Sequence, residues 1–350
     1  MPCGRLKFTK DACRERRIAG RYDLPSIKVL IESQENLKAN RDLIEAIRSD
    51  STVAFAGAGV SARLGYPDWT RLINDLADEA EKITNGRIVD KFGAELNVAD
   101  LKAMNDPLVS AEIIKLNLGT RYGQLLGEIF APRYGASVDI VNLSRIPFQH
   151  ILTSNYDISL ELAHNEIPKK YESFSLEDGA ALRFLSSIGD YRYSRCIVHV
   201  HGRYDDPQSI VLTNGEYARI YQGLGVCRKL WETLPLARKC VFFGFSFSDQ
   251  DIAERFSLGV FHDGQRSVLG TRHFALVELV NEREEVRRRS IFRERYGIEP
   301  VFFSRGDASY RGYSEVVAKL ASATATLADD VERLKALTRV NIQRTKTGDL

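Results

Sequence analysis

The chain has 350 residues, of which 44% are apolar and 27% charged, the proportions of an ordinary soluble globular protein with one large domain or two small ones. Its net charge of +2 lacks the basic excess of a general nucleic-acid binder, so no direct sequence-specific nucleic-acid partner is expected. The five cysteines (Cys3, Cys13, Cys196, Cys227, Cys240) show no C-x-x-C spacing, which excludes a four-cysteine zinc module and suits a reducing, cytoplasmic setting. No apolar run approaches membrane-spanning length, and the basic N-terminus lacks the apolar segment of a signal peptide, so no membrane partner is expected.

Residues 1–35 read as a basic arm, with Arg5, Lys7, Lys10, Arg14, Arg16, Arg17 and Arg21. Sparse aromatics and the lack of sustained periodicity favour a solvated or loosely docked arm over a nucleic-acid contact. From Asn36 to Arg48, Leu37, Ile44 and Ile47 lie near one helical face. The apolar run around Val53 and Phe55 reads as a buried strand that stops at Gly57-Ala58-Gly59. A strand that ends in Gly-x-Gly and gives way to helical sequence can present backbone N–H groups to an anion, because no Cβ blocks close approach. A dinucleotide fingerprint would place a third glycine three residues after Gly59, whereas the next is Gly65, so the standard dehydrogenase reading fails. Trp69, Leu72, Ile73, Leu76 and Ala80 then predict an amphipathic helix. The sequence stays helical through residue 145 with no convincing strand, which predicts a helical insertion at about 70–145.

Short apolar runs follow at Phe148–Thr153, Cys196–Val200, Ser209–Leu212, Cys240–Phe245, His273–Leu279 and Pro300–Phe303. Helical sequence separates most of them, at Ile158–Glu166, Glu177–Ile188, Leu224–Leu234, Asp251–Phe256 and Arg283–Tyr296. This alternation predicts an α/β, Rossmann-like, mostly parallel sheet with helices on both faces and an inserted helical subdomain. The expected division is an arm over 1–35, a main domain over 36–322 and a helical tail over 323–350. In the tail Leu327, Val331, Leu334 and Thr338 form a stripe that packs on its own domain or pairs with a partner or second copy.

Ligands of such sheets bind at the carboxyl ends of the strands. There the sequence offers Gly57, Ala58, Gly59, Ser61, Asp68 and Trp69, then Thr153-Ser154-Asn155-Tyr156-Asp157, then His199-Val200-His201-Gly202, then Gly244 and Ser246. Ser154 with Asp157, and Ser248 with Asp251, fit a helix-capping pattern. His199 and His201 share a strand face and have the residue type of a metal site, but no third ligand follows at a recognisable spacing. Asn155 and His201 each sit at a strand's carboxyl end, and neither is needed to cap a helix if Ser154 does that. His199 is expected to matter through packing.

These segments, in this order and from about Val53 to Leu320, resemble the sirtuin-like domain of bacterial anti-phage defence proteins. G-A-G-V-S…G-Y-P-D-W is similar to the sirtuin cofactor loop, T-S-N-Y-D to the segment of the catalytic asparagine, and H-V-H-G to that of the histidine base. D-D-P-Q-S-I-V-L-T-N-G-E-Y and F-F-G-F-S-F-S-D-Q-D resemble the defence branch more than the deacylases. The resemblance implies NAD as substrate, with Gly57, Ala58, Gly59 and Ser61 on its pyrophosphate and ribose. Asp68 and Trp69 would close over nicotinamide, Asp157 would join the binding set, and Gly244 with Ser246 would lie on the adenosine side. Asn155 and His201 would be catalytic. Thr70 stands where the sirtuin loop has arginine, and the zinc cysteines of the deacylases are absent, so no metal is expected. The implied function is hydrolysis of NAD to ADP-ribose and nicotinamide as an anti-phage effector. The alternatives are a protein deacylase or ADP-ribosyltransferase, or a non-catalytic NAD-nucleotide sensor. A homo-oligomer is expected from the helical insertion, the striped tail and the basic arm. The resemblance further implies an activating partner such as an ATPase or an argonaute-like protein.

Overall fold

Thr52–Ala56 (β1) sends Val53 and Phe55 into one apolar cluster and Ala54 and Ala56 into another, as the two-residue period of a strand requires. All five residues are buried, so β1 is covered on both faces. The structure, a computed structural model, describes residues 30–49, 52–133, 137–165, 171–187, 195–222, 225–247, 261–262, 265–266, 273–307 and 309–325. Most of the basic arm, the Ser248–Asp251 pair, the helix expected at Asp251–Phe256 and the tail stripe lie outside the described residues.

Two short strands, β2 (Ile88–Val89) and β3 (Glu95–Leu96), form an antiparallel ribbon. The main sheet adds β4 (His150–Thr153), β5 (Tyr171–Ser175), β6 (Arg195–His199) and β7 (Lys239–Phe243). After a second ribbon, β8 (Phe261–His262) with β9 (Gln265–Arg266), come β10 (His273–Glu278) and β11 (Ile298–Phe303). The seven-stranded sheet runs β11-β10-β7-β1-β4-β6-β5, with every pairing parallel. The expected α/β architecture is therefore present.

One face packs Phe55, Phe242 and Val198 against Trp231, Leu234 and Phe184; the other packs Ile151, Val241 and Val301 against Leu43, Ile140 and Val317. Burying each such side chain contributes about 1.5–3 kcal/mol before entropy is counted. The helices Trp69–Ile83, Val98–Ala103, Pro107–Leu118 and Arg121–Ile129 build a third cluster from Leu72, Leu76, Ile114, Leu118 and Leu126. Their starts are written in the sequence. Asp68 accepts from the Arg71 amide, Asn97 and Asp100 form a capping box, and Asp106 precedes Pro107 at the first helical position. The helical layer thus buries its stripe within the chain, so the stripe gives no reason to invoke a second copy.

Three local expectations need correction. Residues 209–212 form no strand. Ile210 and Leu212 enter the helical-layer cluster and Val211 enters the sheet cluster, so this apolar run serves two cores rather than a ladder. Tyr171–Ser175 is a strand the apolar pattern missed. Among the described residues it is an edge strand paired only with β6, and its partial burial needs no continuous apolar run. The β2–β3 ribbon, too short to show a period, interrupts the helical stretch.

Candidate active site

The chain leaves β1 toward β4 on one side and returns to β7 on the other, so β1 marks the switch point where such sheets open a crevice. A cleft of about 640 Å³ lies there, at the carboxyl ends of β1, β7 and β10. Six of the expected residues line it: Ala58, Gly59, Asp68, Trp69, Gly244 and Ser246. Phe245, Phe247 and Tyr310 add aromatic surface, while Glu278 and Arg288 add charge.

The glycines fit this floor for a reason beyond ligand approach. The Gly57 N–H donates to Phe243 O at 2.9 Å and the Gly59 N–H to Gly244 O at 2.9 Å. A Cβ on Gly57 would stand 2.7 Å from Gly244 O, and one on Gly244, at φ +57°, would stand 2.5 Å from Val60 N. The two loop backbones touch, and only glycine permits it. These two N–H groups are committed to β7's end and do not point at an anion.

Behind the cleft wall lies a second, buried group. Asn155 (8% exposed) donates through Nδ2 to Gly57 O at 3.1 Å and Ser61 Oγ at 3.0 Å. Since a carbonyl can only accept, the amide orientation is determined, and Oδ1 has no hydrogen-bond partner among the described residues. The Asn155 N–H donates to Thr153 Oγ1 at 3.1 Å, and Thr153 in turn donates to Ala56 O. Ser61 Oγ lies 3.2 Å from Ser159 Oγ, which donates to Asp157. The network joins the first loop to the second strand end. Neighbouring Ser154 lines the cleft.

Ser154 caps no helix. The helix begins at Ser159, whose N–H donates to Asp157 Oδ1 at 3.0 Å, so Asp157 serves the helix start and does not line the cleft. The two histidines part company. His199 Nδ1 is 2.8 Å from Asn155 O, and its Nε2 is 2.6 Å from Glu161 Oε1. His201 Nε2 is 2.7 Å from Tyr221 OH, and the ring packs beside Tyr217. Separate partners take up the rings, and among the described residues no three His, Cys, Asp or Glu side chains converge as a metal site. His201 is 1% exposed and is not on the cleft wall.

Sequence reasoning missed Tyr221 and Glu161. Tyr221 lies in a π-helical turn over Ala218–Gln222, a widened geometry frequent at functional sites, just after the Thr213–Glu216 capping box. Tyr217 and Tyr221, four residues apart, were the available signal. Glu161 had none, since no spacing ties a helical glutamate to a histidine on another strand. Burial alone would raise its carboxyl, yet hydrogen bonds from His199 and Ser173 hold it below the ordinary carboxylate range.

Strand order, a glycine-floored crevice at the switch point and an oriented asparagine behind it define a doubly wound α/β domain with a ligand cleft. Residues 149–301 match the SIR2-like domain family. It is 25% identical over 265 residues to the NAD(+) hydrolase ThsA of Enterococcus faecium, covering 73% of this chain and 49% of that protein. It is 22% identical over 217 residues to the NAD(+) hydrolase ThsA of Bacillus cereus, covering 61% and 40%. Defense-associated sirtuin 2 of Bacillus subtilis is 23% identical over 219 residues, covering 61% and 19%. The chain thus spans about half or less of the length of these relatives. No helix among the described residues is long and apolar enough to cross a membrane.

Proposed function

We propose that the chain is an NAD glycohydrolase that releases nicotinamide and ADP-ribose, acting in anti-phage defence by depleting NAD. The observation that carries this is the Asn155 amide, whose donor is fixed by Gly57 O and Ser61 Oγ while Oδ1 keeps its acceptor capacity. Nicotinamide leaves as a neutral molecule, so the bond needs no general acid. The protein must stabilise an oxocarbenium-like ribose and hold a nucleophile on one face. Asn155 Oδ1 would orient a water there. His201 Nε2 would take a proton once a substrate hydroxyl or water replaces Tyr221 OH. Ala58, Ser246 and the Cβ-free surface of Gly59 and Gly244 would receive the pyrophosphate and adenosine by close approach rather than through the Gly59 N–H, with Asp68 and Trp69 over nicotinamide. The curated relatives named as NAD hydrolases support this substrate.

The burial of His201 favours a second reading, a module that binds an NAD nucleotide without turning it over. One experiment separates them: the purified protein is mixed with NAD, with bound nucleotide and free nicotinamide both followed. Nicotinamide release that scales with enzyme supports the hydrolase. Stoichiometric binding with no release supports the sensor, and neither binding nor release rejects both. Control of such an activity by homo-oligomerisation or by an activating partner such as an ATPase or argonaute-like protein belongs to the same proposal. Light scattering with and without NAD tests the first route.

A further inference from the structure

Asn155 is held at its side chain by the first loop, but its backbone carbonyl is held by something less ordinary. His199, fully buried at the end of β6, turns Nδ1 to Asn155 O at 2.8 Å and Nε2 to Glu161 Oε1 at 2.6 Å. A neutral imidazole has one N–H, and here both ring nitrogens face acceptors. The backbone carbonyl has no proton to offer, so Nδ1 must donate. Glu161 Oε1 also accepts from Ser173 Oγ at 2.5 Å, and with its carboxyl held below the ordinary carboxylate range by these hydrogen bonds it is ionised near neutral pH and has no proton to give. Nε2 must therefore donate as well. The nearby charged group on the far side is Arg203, whose guanidinium reaches Ser173 Oγ at 3.3 Å and orients that hydroxyl toward the carboxylate.

We propose that His199 is a positioning residue: a doubly protonated imidazolium, neutralised by Glu161, that clamps the Asn155 carbonyl and so fixes the angle at which the Asn155 amide meets the reacting ribose. The clamp joins three elements, since β6 supplies the histidine, the helix Ser159–Asn165 the carboxylate and β5 the serine. An ion pair this buried is a poor source of stability compared with apolar packing, but it sets one geometry well. Substrate need not touch it. The role given to Asn155 rests on the hydrolase reading above, whereas the protonation state of His199 does not.

The test has two arms. In the first, the protein is labelled with ¹⁵N-histidine and His199 is assigned by the His199→Gln variant; at pH 7.5 both His199 nitrogens should carry protons. In Glu161→Gln the ring should revert to one N–H. A single-tautomer neutral ring in the parent protein overturns the proposal whether or not NAD is cleaved. The second arm measures nicotinamide release. Glu161→Gln and His199→Gln should each lower kcat about 10- to 100-fold with KM for NAD nearly unchanged, the signature of a misaimed group, and Glu161→Asp should recover part of the loss. Parent-level kcat in a folded Glu161→Gln protein overturns the clamp. A parent protein that shows the imidazolium yet releases no nicotinamide leaves the clamp standing and sinks the hydrolase reading. If His199→Gln fails to fold, Glu161→Gln, which keeps the side chain's shape, carries the kinetic comparison and the histidines are assigned from the parent spectra.

Discussion

The ends of β1 and β7 and the ends of β4 and β6 face the same region of the fold but are built from different materials. The first is made of backbone: Gly57 and Gly59 press against Gly244 at distances that forbid a Cβ. The second is made of side chains: Asn155, Ser61, His199 and Glu161, each partnered and nearly sealed. A backbone-built floor has almost no freedom to vary and tolerates no added atom. A side-chain network can lose one member and keep its fold while losing its aim. Stability should therefore reside in the first region, and rate in the second.

Substitution of Gly244 by alanine should break the comparison most severely. A Cβ at φ +57° costs about 1–2 kcal/mol on backbone grounds alone, and contact with the Val60 amide raises the total to about 3–4 kcal/mol. Chemical denaturation should show the loss, and a parent-like midpoint would contradict the close approach. Next, Asn155→Ala should cut nicotinamide release at least about 100-fold, or about 2.7 kcal/mol, while thermal melting stays within a few degrees of the parent. A variant equally active and merely less stable would move Asn155 to the structural side. The effect of Tyr221→Phe should be smaller, about tenfold in kcat, because it removes only the hydroxyl that faces His201 Nε2. Steady-state kinetics with NAD decide it, and no change would show that Tyr221 serves packing alone.

The smallest effect concerns acid. Glu161 sits below its ordinary value of 4.5 in the fold, so its contribution to stability is complete above that pH and is lost as pH falls through the lowered value. Melting temperatures measured from pH 6 to pH 3 should fall more for the parent than for Glu161→Gln. Parallel curves would show that the carboxylate is not held by His199.

The two regions also differ in how far the sequence discloses them. Gly57, Gly59 and Gly244 are visible as glycines after apolar runs, though the cause assigned to them, an anion, is not the contact that the backbone amides make. Asn155 and His201 are visible as polar residues at strand ends. Tyr221, which meets His201, and Glu161, which meets His199, are far less so: each reaches its ring across the fold, Glu161 with no spacing to betray it and Tyr221 with only its distance from Tyr217. Ser154 and Asp157 show the limit of local pattern: the spacing fits a cap, but the helix starts two residues after Asp157, which serves as its acceptor. Apolar pattern misled at Ser209–Leu212 for a related reason, since a run shared between two cores looks like a strand. The main sheet was legible because buried parallel strands are short, apolar and separated by helices.

The placement of β1 has a consequence for synthesis. β1 emerges from the ribosome before both of its neighbours, β4 and β7, and the contact that closes the cleft floor waits for Gly244. Until β7 is made, Thr52–Ala56 is an apolar strand with at least one edge open, the kind of segment that pairs with the wrong chain. The later strands cannot close up without it, because a fragment limited to residues 149–301 has β4 and β7 but lacks the strand that separates them. Closure of the sheet around β1 therefore waits for β7. Shortened versions that stop before β7 should collect in the insoluble fraction rather than persist as a stable half.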